Sequence, residues 1–281
     1  MRTFVSAAAV LLGLLLAAVA VPAMWVDRNI VQEDGFVALA APLGNDPLFQ
    51  QRLSAAAVGS LDSDGRIPKS LTELVRPVLE SAASSLTSLP GYPAAWEETL
   101  HRSHRLSFAD PRTLPPEVDA TTSLTLDVAP LVALVTQQIS DAVGLPLDAP
   151  DQTLINIGQS SQRQLIERAN AYAPMGYALG LGSALAFVLA FVAARRRWSV
   201  LAGTGIGALL LAGTWFLGSR AAGAAISGTV SGNPVAEIFK REFVAASLDG
   251  FGAWILASLI TGGILLVSGV LLRMTAGRTQ E

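Results

Sequence analysis

The sequence predicts a mainly α-helical membrane protein: four transmembrane helices and one extracytoplasmic, mostly helical α+β domain. Three observations predict it. Four long stretches, Phe4–Trp25, Pro174–Ala194, Val200–Leu217 and Gly250–Leu272, contain no charged residue. The chain is 51% hydrophobic and only 15% charged, a membrane rather than a soluble composition. Its charges are also sorted between the two sides that four spans would create.

Phe4–Trp25 follows Arg2 and the amino terminus. Ala18-Val19-Ala20 or Val21-Pro22-Ala23 fits a signal-peptide cleavage site, but about 22 residues is long for a signal core and right for a span. An uncleaved anchor is therefore expected. Pro174–Ala194 makes a helix about 31 Å long, enough to cross a hydrocarbon core. Only Arg195-Arg196-Arg197-Trp198-Ser199 separates it from Val200–Leu217, so the two form a hairpin. Three arginines in so short a loop place it in the cytoplasm, with Trp198 at headgroup level. Arg2, the loop arginines, Arg273 and Arg278 then share one side with Glu281. Residues 27–172 carry 18 acidic and 10 basic residues, and 219–249 are neutral. This bias predicts both termini inside. The expected division is 1–26 first helix, 27–172 outer domain, 173–218 hairpin, 219–249 outer loop with an amphipathic helix, 250–273 fourth helix and 274–281 cytoplasmic tail.

Within the outer domain, Asp34-Gly35 opens a helix bearing Phe36, Leu39 and Leu43, with Pro42 near its end. Asp46-Pro47 is a second helix start, an N-cap acceptor before proline in the first turn. Residues 62–68 read as a loop. Ser70-Leu71-Thr72-Glu73 has capping-box spacing for a helix running to Leu86. Another helix is expected over Ala94–Ser107, followed by irregular chain over Pro111–Pro116. Leu124, Leu126 and Val128 alternate with Ser123, Thr125 and Asp127, the pattern of a half-buried strand. Pro130 starts a helix with Leu131, Leu134, Val135 and Ile139 on one face, and Thr153–Ile157 reads as a second short strand. Ser161-Gln162-Arg163-Gln164 caps a last helix expected to run into the hairpin with a kink at Pro174. In the second outer loop Gly232-Asn233-Pro234 precedes Val235, Ile238, Phe239, Phe243 and Ala246 at helical spacing, with Glu237, Lys240 and Arg241 opposite. Its neutral charge favours docking on the outer domain through Phe239 and Phe243 over lying in the interface.

Asp34-Gly35-Phe36, Ala41-Pro42-Leu43 with Asp46-Pro47, Trp96 and His104 eight apart around Arg102, and Leu124-Thr125-Leu126-Asp127 with Pro130 together resemble a family of actinobacterial four-span membrane proteins. That family has a large extracytoplasmic domain and no assigned activity. The resemblance covers most of the chain and implies topology, not chemistry.

For chemistry the one cluster is Trp96–Arg105, holding Glu97, Glu98, His101 and His104, the last two being the only histidines. On a helix, Glu97 and His101 are four apart and His101 and His104 three apart, so all can face one metal. Carboxylates from elsewhere would have to complete such a site. Packing of Trp96, Leu100 and His104 inside the domain is the preferred expectation, with no catalytic, metal or cofactor site. There is no Gly-x-Ser-x-Gly or Ser-x-x-Lys, and the absence of cysteine excludes thiol chemistry and disulfides. No span carries Asp, Glu, Lys, Arg or His, which argues against a pump or coupled transporter. Gly203/Gly207 and Gly176/Gly180 are small-xxx-small pairs suited to internal packing or a homo-oligomer, internal packing being preferred. The lipid bilayer is the expected partner, its anionic headgroups attracting the cytoplasmic arginines, and nucleic acid binding is not suggested. The expected role is a non-enzymatic envelope scaffold, sensor or partner subunit, alongside other envelope or membrane proteins. The rival is an extracytoplasmic metal-assisted hydrolase using His101 and His104.

Overall fold

A computed structural model describes residues 2–52, 88–109, 125–144, 148–157, 163–230 and 233–278, with single residues 85, 112 and 146. The described chain is mostly helical, and four of its helices are long and apolar enough to cross a membrane. They are α1 (Arg2–Val26), α6 (Met175–Ala193), α7 (Arg197–Ser227) and α8 (Pro234–Arg278). Two compact units result. The first comprises Met1–Asp27, Ala171–Ala224 and Leu248–Glu281, and the second Arg28–Asn170 and Ala225–Ser247. The expected helix from Ser70 to Leu86 and the 62–68 loop lie outside the described residues. So does 110–119 apart from Arg112.

The first unit is packed inside out. Most of its buried positions are small, including Ala9, Ala20, Ala186, Ala190 and Ala212, while Leu11, Leu15, Leu185, Leu210 and Ile264 are exposed. Leucine outward and alanine inward suits helices solvated by lipid, because there only close backbone approach gains energy. Two pairs are closest. On α1 and α6, a Cβ at Gly176 would lie 2.7 Å from the Met24 amide nitrogen. Ser183 Oγ donates to the Gly13 carbonyl at 2.8 Å, and Ser6 Oγ donates to Ala190 at 2.9 Å. On α7 and α8, a Cβ at Gly205 would lie 2.6 Å from the Leu266 amide, and one at Gly269 would lie 2.7 Å from Ala202. The expected Gly203/Gly207 pair is thereby corrected. Gly203 has nothing within 4 Å, Gly207 meets the Leu14 side chain, and Gly205 makes the backbone contact. The Gly176/Gly180 pair does face a neighbour, with Met24 beside both.

Several boundaries shift. α7 begins at Arg197 and runs ten residues past Leu217, so the turn is Ala194–Arg196. The amphipathic loop helix and the fourth span are one helix, α8, because neither Gly250 nor Gly252 interrupts the hydrogen-bonded ladder. Helix α5 (Arg163–Tyr172) ends at a turn over Ala173 and Pro174 before α6 instead of running on as a kinked helix. Proline supplies no amide to bridge the gap.

A π-helical turn (Asp27–Val31), all but its first residue in the second unit, leads to α2 (Glu33–Ala40) and a 3-10 turn (Ala41–Asn45). Gly35 is demanded by close approach: a Cβ there would sit 1.7 Å from the Arg28 carbonyl oxygen. Asp46 caps the next helical residues, its Oδ1 accepting from the amides of Leu48 at 2.7 Å and Phe49 at 3.1 Å. Then come α3 (Tyr92–Phe108), β1 (Thr125–Asp127), α4 (Ala129–Val143) and β2 (Leu154–Asn156). The strands are antiparallel, with Leu126 opposite Ile155. The core gathers Trp96 and Leu100 of α3 with Phe36, Phe49, Leu126, Leu131 and Phe239. Phe239 is fully buried, 6.2 Å from Trp96 between ring centres, and Phe243 stacks on it while touching Phe36 at 5.1 Å. Asn233 starts that segment of α8 by accepting from the Val235 amide at 2.8 Å.

Two side-chain expectations are overturned here. β1 is not half-buried: Thr125, Leu126 and Asp127 are all covered. Lys240, placed by periodicity on the polar side of its helix, is buried with its ammonium on the Thr229 carbonyl and on Glu237 at 2.9 Å.

Candidate functional site

Helix α3 organises the polar chemistry of the second unit. Gly91 precedes it and Pro93 lies in its first turn, where a missing amide costs nothing. Tyr92, Trp96, Thr99, Leu100, Ser103, His104 and Ser107 are its buried residues, recurring every three or four positions. Glu97 and Arg105 are exposed, while Glu98, His101 and Arg102 lie part-way out.

The buried side acts as a second edge for β1. Ser107 Oγ accepts from the Thr125 amide at 3.1 Å, and Ser103 Oγ accepts from the Asp127 amide at 2.9 Å. Each hydroxyl donates backwards into its own helix, Ser103 to Thr99 and Ser107 to Ser103. A short strand with one strand neighbour thus has its other edge satisfied by serines, as buried backbone requires. This is why β1 is covered on both faces. The buried Asp127 carboxylate ties the corner together: its Oδ1 accepts from the amides of Ala129 at 3.1 Å and Thr153 at 3.0 Å. The first bond caps α4 and the second anchors the approach to β2.

The outward side carries a charge network. Glu33 Oε1 pairs with His101 Nδ1 at 2.7 Å and with Arg105 at 3.0 Å. Glu98 accepts from Arg102 Nε at 2.9 Å. Burial pushes the Glu33 carboxyl up, but the His101 hydrogen bond and the Arg105 charge together bring it below its ordinary value of 4.5. His104 points elsewhere. Its Nε2 lies 3.1 Å from the Ile30 carbonyl of the π-helical turn, and its ring stacks on Phe108 at 4.4 Å with Phe36 at 5.1 Å. Burial lowers its pKa, outweighing the opposing pull of the Ile30 carbonyl and Glu33. The geometry suits a neutral ring donating from Nε2.

The residues singled out by sequence are therefore dispersed. His101 pairs with Glu33 rather than Glu97, and His104 faces a backbone carbonyl. Among the described residues no three His, Asp or Glu side chains converge on one point. What the arrangement does is hold α2, the π-helical turn, α3 and β1 together. Sequence reasoning passed over Asp127, Ser103 and Ser107. The available signals were Thr99, Ser103 and Ser107 four apart on the buried side of a helix, and an aspartate two residues before Ala129-Pro130. Comparison with known proteins finds no matching family, no matching curated protein and no matching solved structure.

Proposed function

We propose that this chain is a four-span membrane protein with both termini cytoplasmic, working through its second unit outside the membrane as a non-enzymatic envelope scaffold, sensor or partner subunit. One observation carries the non-enzymatic part: the groups with catalytic potential on α3 are engaged in holding the unit together. His101 and Arg105 share Glu33, His104 stacks on Phe108 with Phe36 beside it, and Asp127 of the adjoining β1 is tied to two amides. The charge bias of the sequence supports the topology, since the arginine turn and both ends carry basic residues. The kinship with actinobacterial four-span proteins is part of the same proposal.

Two exposed positions test the topology, because the chain has no native cysteine. Gln138→Cys is expected to react with an impermeant thiol reagent in intact cells, and Ser199→Cys only after lysis. Labelling with the sides reversed overturns the arrangement. Purified protein carrying stoichiometric transition metal that His101→Ala removes would overturn the non-enzymatic part in favour of a metal-assisted hydrolase.

A further inference from the structure

The two tight helix pairs of the first unit leave a looser seam between them. There all four helices line an apolar groove of about 780 Å³, from Leu14 on α1 and Phe187 on α6 to Leu211 on α7 and Trp254 on α8. A second cavity of about 670 Å³ shares Leu14 and Val200 with it and reaches the arginine turn, where Thr3, Arg195, Arg196 and Ser199 line it. Gly203 belongs to this second lining, and a Cβ there would meet nothing within 4 Å. The glycine that makes no helix contact thus borders a space.

The arginines differ in their engagement. Arg197 lies over the Phe191 ring at 5.4 Å, and Arg273 over Trp198 at 5.0 Å. Arg195 and Arg196 are exposed, and among the described residues neither has an ion-pair or ring partner. The result is an amphiphilic slot in two neighbouring parts: Arg195, Arg196, Thr3 and Ser199 line the first, and the apolar groove lies across the shared Leu14 and Val200.

We propose that this slot binds one anionic phospholipid, its phosphate on Arg195 and Arg196 and an acyl chain in the groove. Guanidinium forks match phosphate oxygens two at a time, which a point charge cannot do. Each cavity has the size of an ordinary small-molecule site, roughly 300–1,000 Å³. Free phosphate would satisfy the arginines and leave the groove unused. A choline headgroup would set a cation against two others. The inference rests on the bilayer placement of the proposed function but not on which membrane face holds the turn.

The test uses the full chain in detergent, with bound lipid counted by native mass spectrometry. One phosphatidylglycerol per chain is expected, with phosphatidylcholine not retained and inorganic phosphate unable to displace the bound lipid. Arg195→Gln with Arg196→Gln is expected to weaken retention about tenfold or more, as loss of two charge-assisted contacts implies. Gly203→Leu keeps both arginines, fills the space beside them and should weaken retention comparably. Arg220→Gln, on an arginine lying over Phe216, should leave it unchanged. Equal retention of both lipids, displacement by phosphate, or wild-type retention in the double-glutamine or Gly203→Leu variant overturns the site. Circular dichroism on each variant separates lost lipid from lost fold. Thiol labelling of Ser199→Cys in the same background reports topology on its own. Failure of the wild-type chain to retain phosphatidylglycerol, with the expected labelling, therefore counts against the slot alone, and reversed labelling counts against the topology alone.

Discussion

The two compact units solve helix packing in opposite ways. In the first, glycines, alanines and serines face inward, and the large residues face out. In the second, Trp96, Phe36, Phe49 and Phe239 fill the centre, and charged groups ring α3. The difference is the one that solvation by lipid and by water would make. Water rewards burial of large apolar surface, about 25 cal/mol per Å², whereas lipid gives no such reward and leaves close contact as the main gain. Residue size therefore has opposite meanings in the two units: an aromatic is an anchor in one and exposed surface in much of the other. Trp25, Trp215 and Phe251 are the aromatic exceptions in the first unit, where Trp215 Nε1 donates to the Ala18 carbonyl at 3.0 Å.

Truncation in the second unit gives the sharpest break. Phe239→Ala removes a fully buried ring, and about 3–5 kcal/mol of stability should go with it. Limited proteolysis of that unit should accelerate accordingly; unchanged cleavage would mean the ring is not part of its core. Enlargement is the corresponding insult in the first unit. Gly205→Leu drives a side chain into the Leu266 backbone and should cost about 1–3 kcal/mol or more, while Gly213→Leu, with open space around it, should cost almost nothing. Equal thermal midpoints in detergent for the two variants would refute packing through Gly205.

Acid should act on the second unit through His104 and Glu33. His104 has a lowered pKa when folded, so the unfolded chain binds its proton first. The stabilisation is complete above the unfolded value near 6.5 and declines as pH falls through the folded one. Glu33, also lowered, adds a loss below about 4.5, as its pairing with His101 and Arg105 is broken by protonation. The thermal midpoint should fall between pH 7.5 and 5.5, and His104→Gln should flatten that step. A step of wild-type size in the variant would assign it elsewhere.

The smallest effect concerns an imperfection in the aromatic core. Tyr92 is buried, its hydroxyl has no partner among the described residues, and burial pushes its pKa up to about 12. Tyr92→Phe removes an unsatisfied polar atom and should raise stability by about 1 kcal/mol. A loss instead would show that the hydroxyl is bonded to a group outside the described residues.

Local pattern determined much of this protein before any folding was considered. Uncharged runs give the four apolar helices, and Asp46-Pro47 gives a helix start that the capping hydrogen bonds bear out. The spacing of Val235, Phe239 and Phe243 marks an apolar face, and Phe239 is in the core. All of these depend on neighbours a few residues away. Tertiary structure alone decided the rest. A helix that is apolar all round carries no signal of which side meets a neighbour, so Gly205 could not be told from Gly203. Burial of β1 on both faces depends on serines 18 and 24 residues away, and the partner of His101 lies 68 residues back. Lys240 is drawn inside by a carbonyl 11 residues earlier, against the period of its own helix. Each of these outcomes is set by a group that only the fold brings near, and periodicity cannot see beyond its own element.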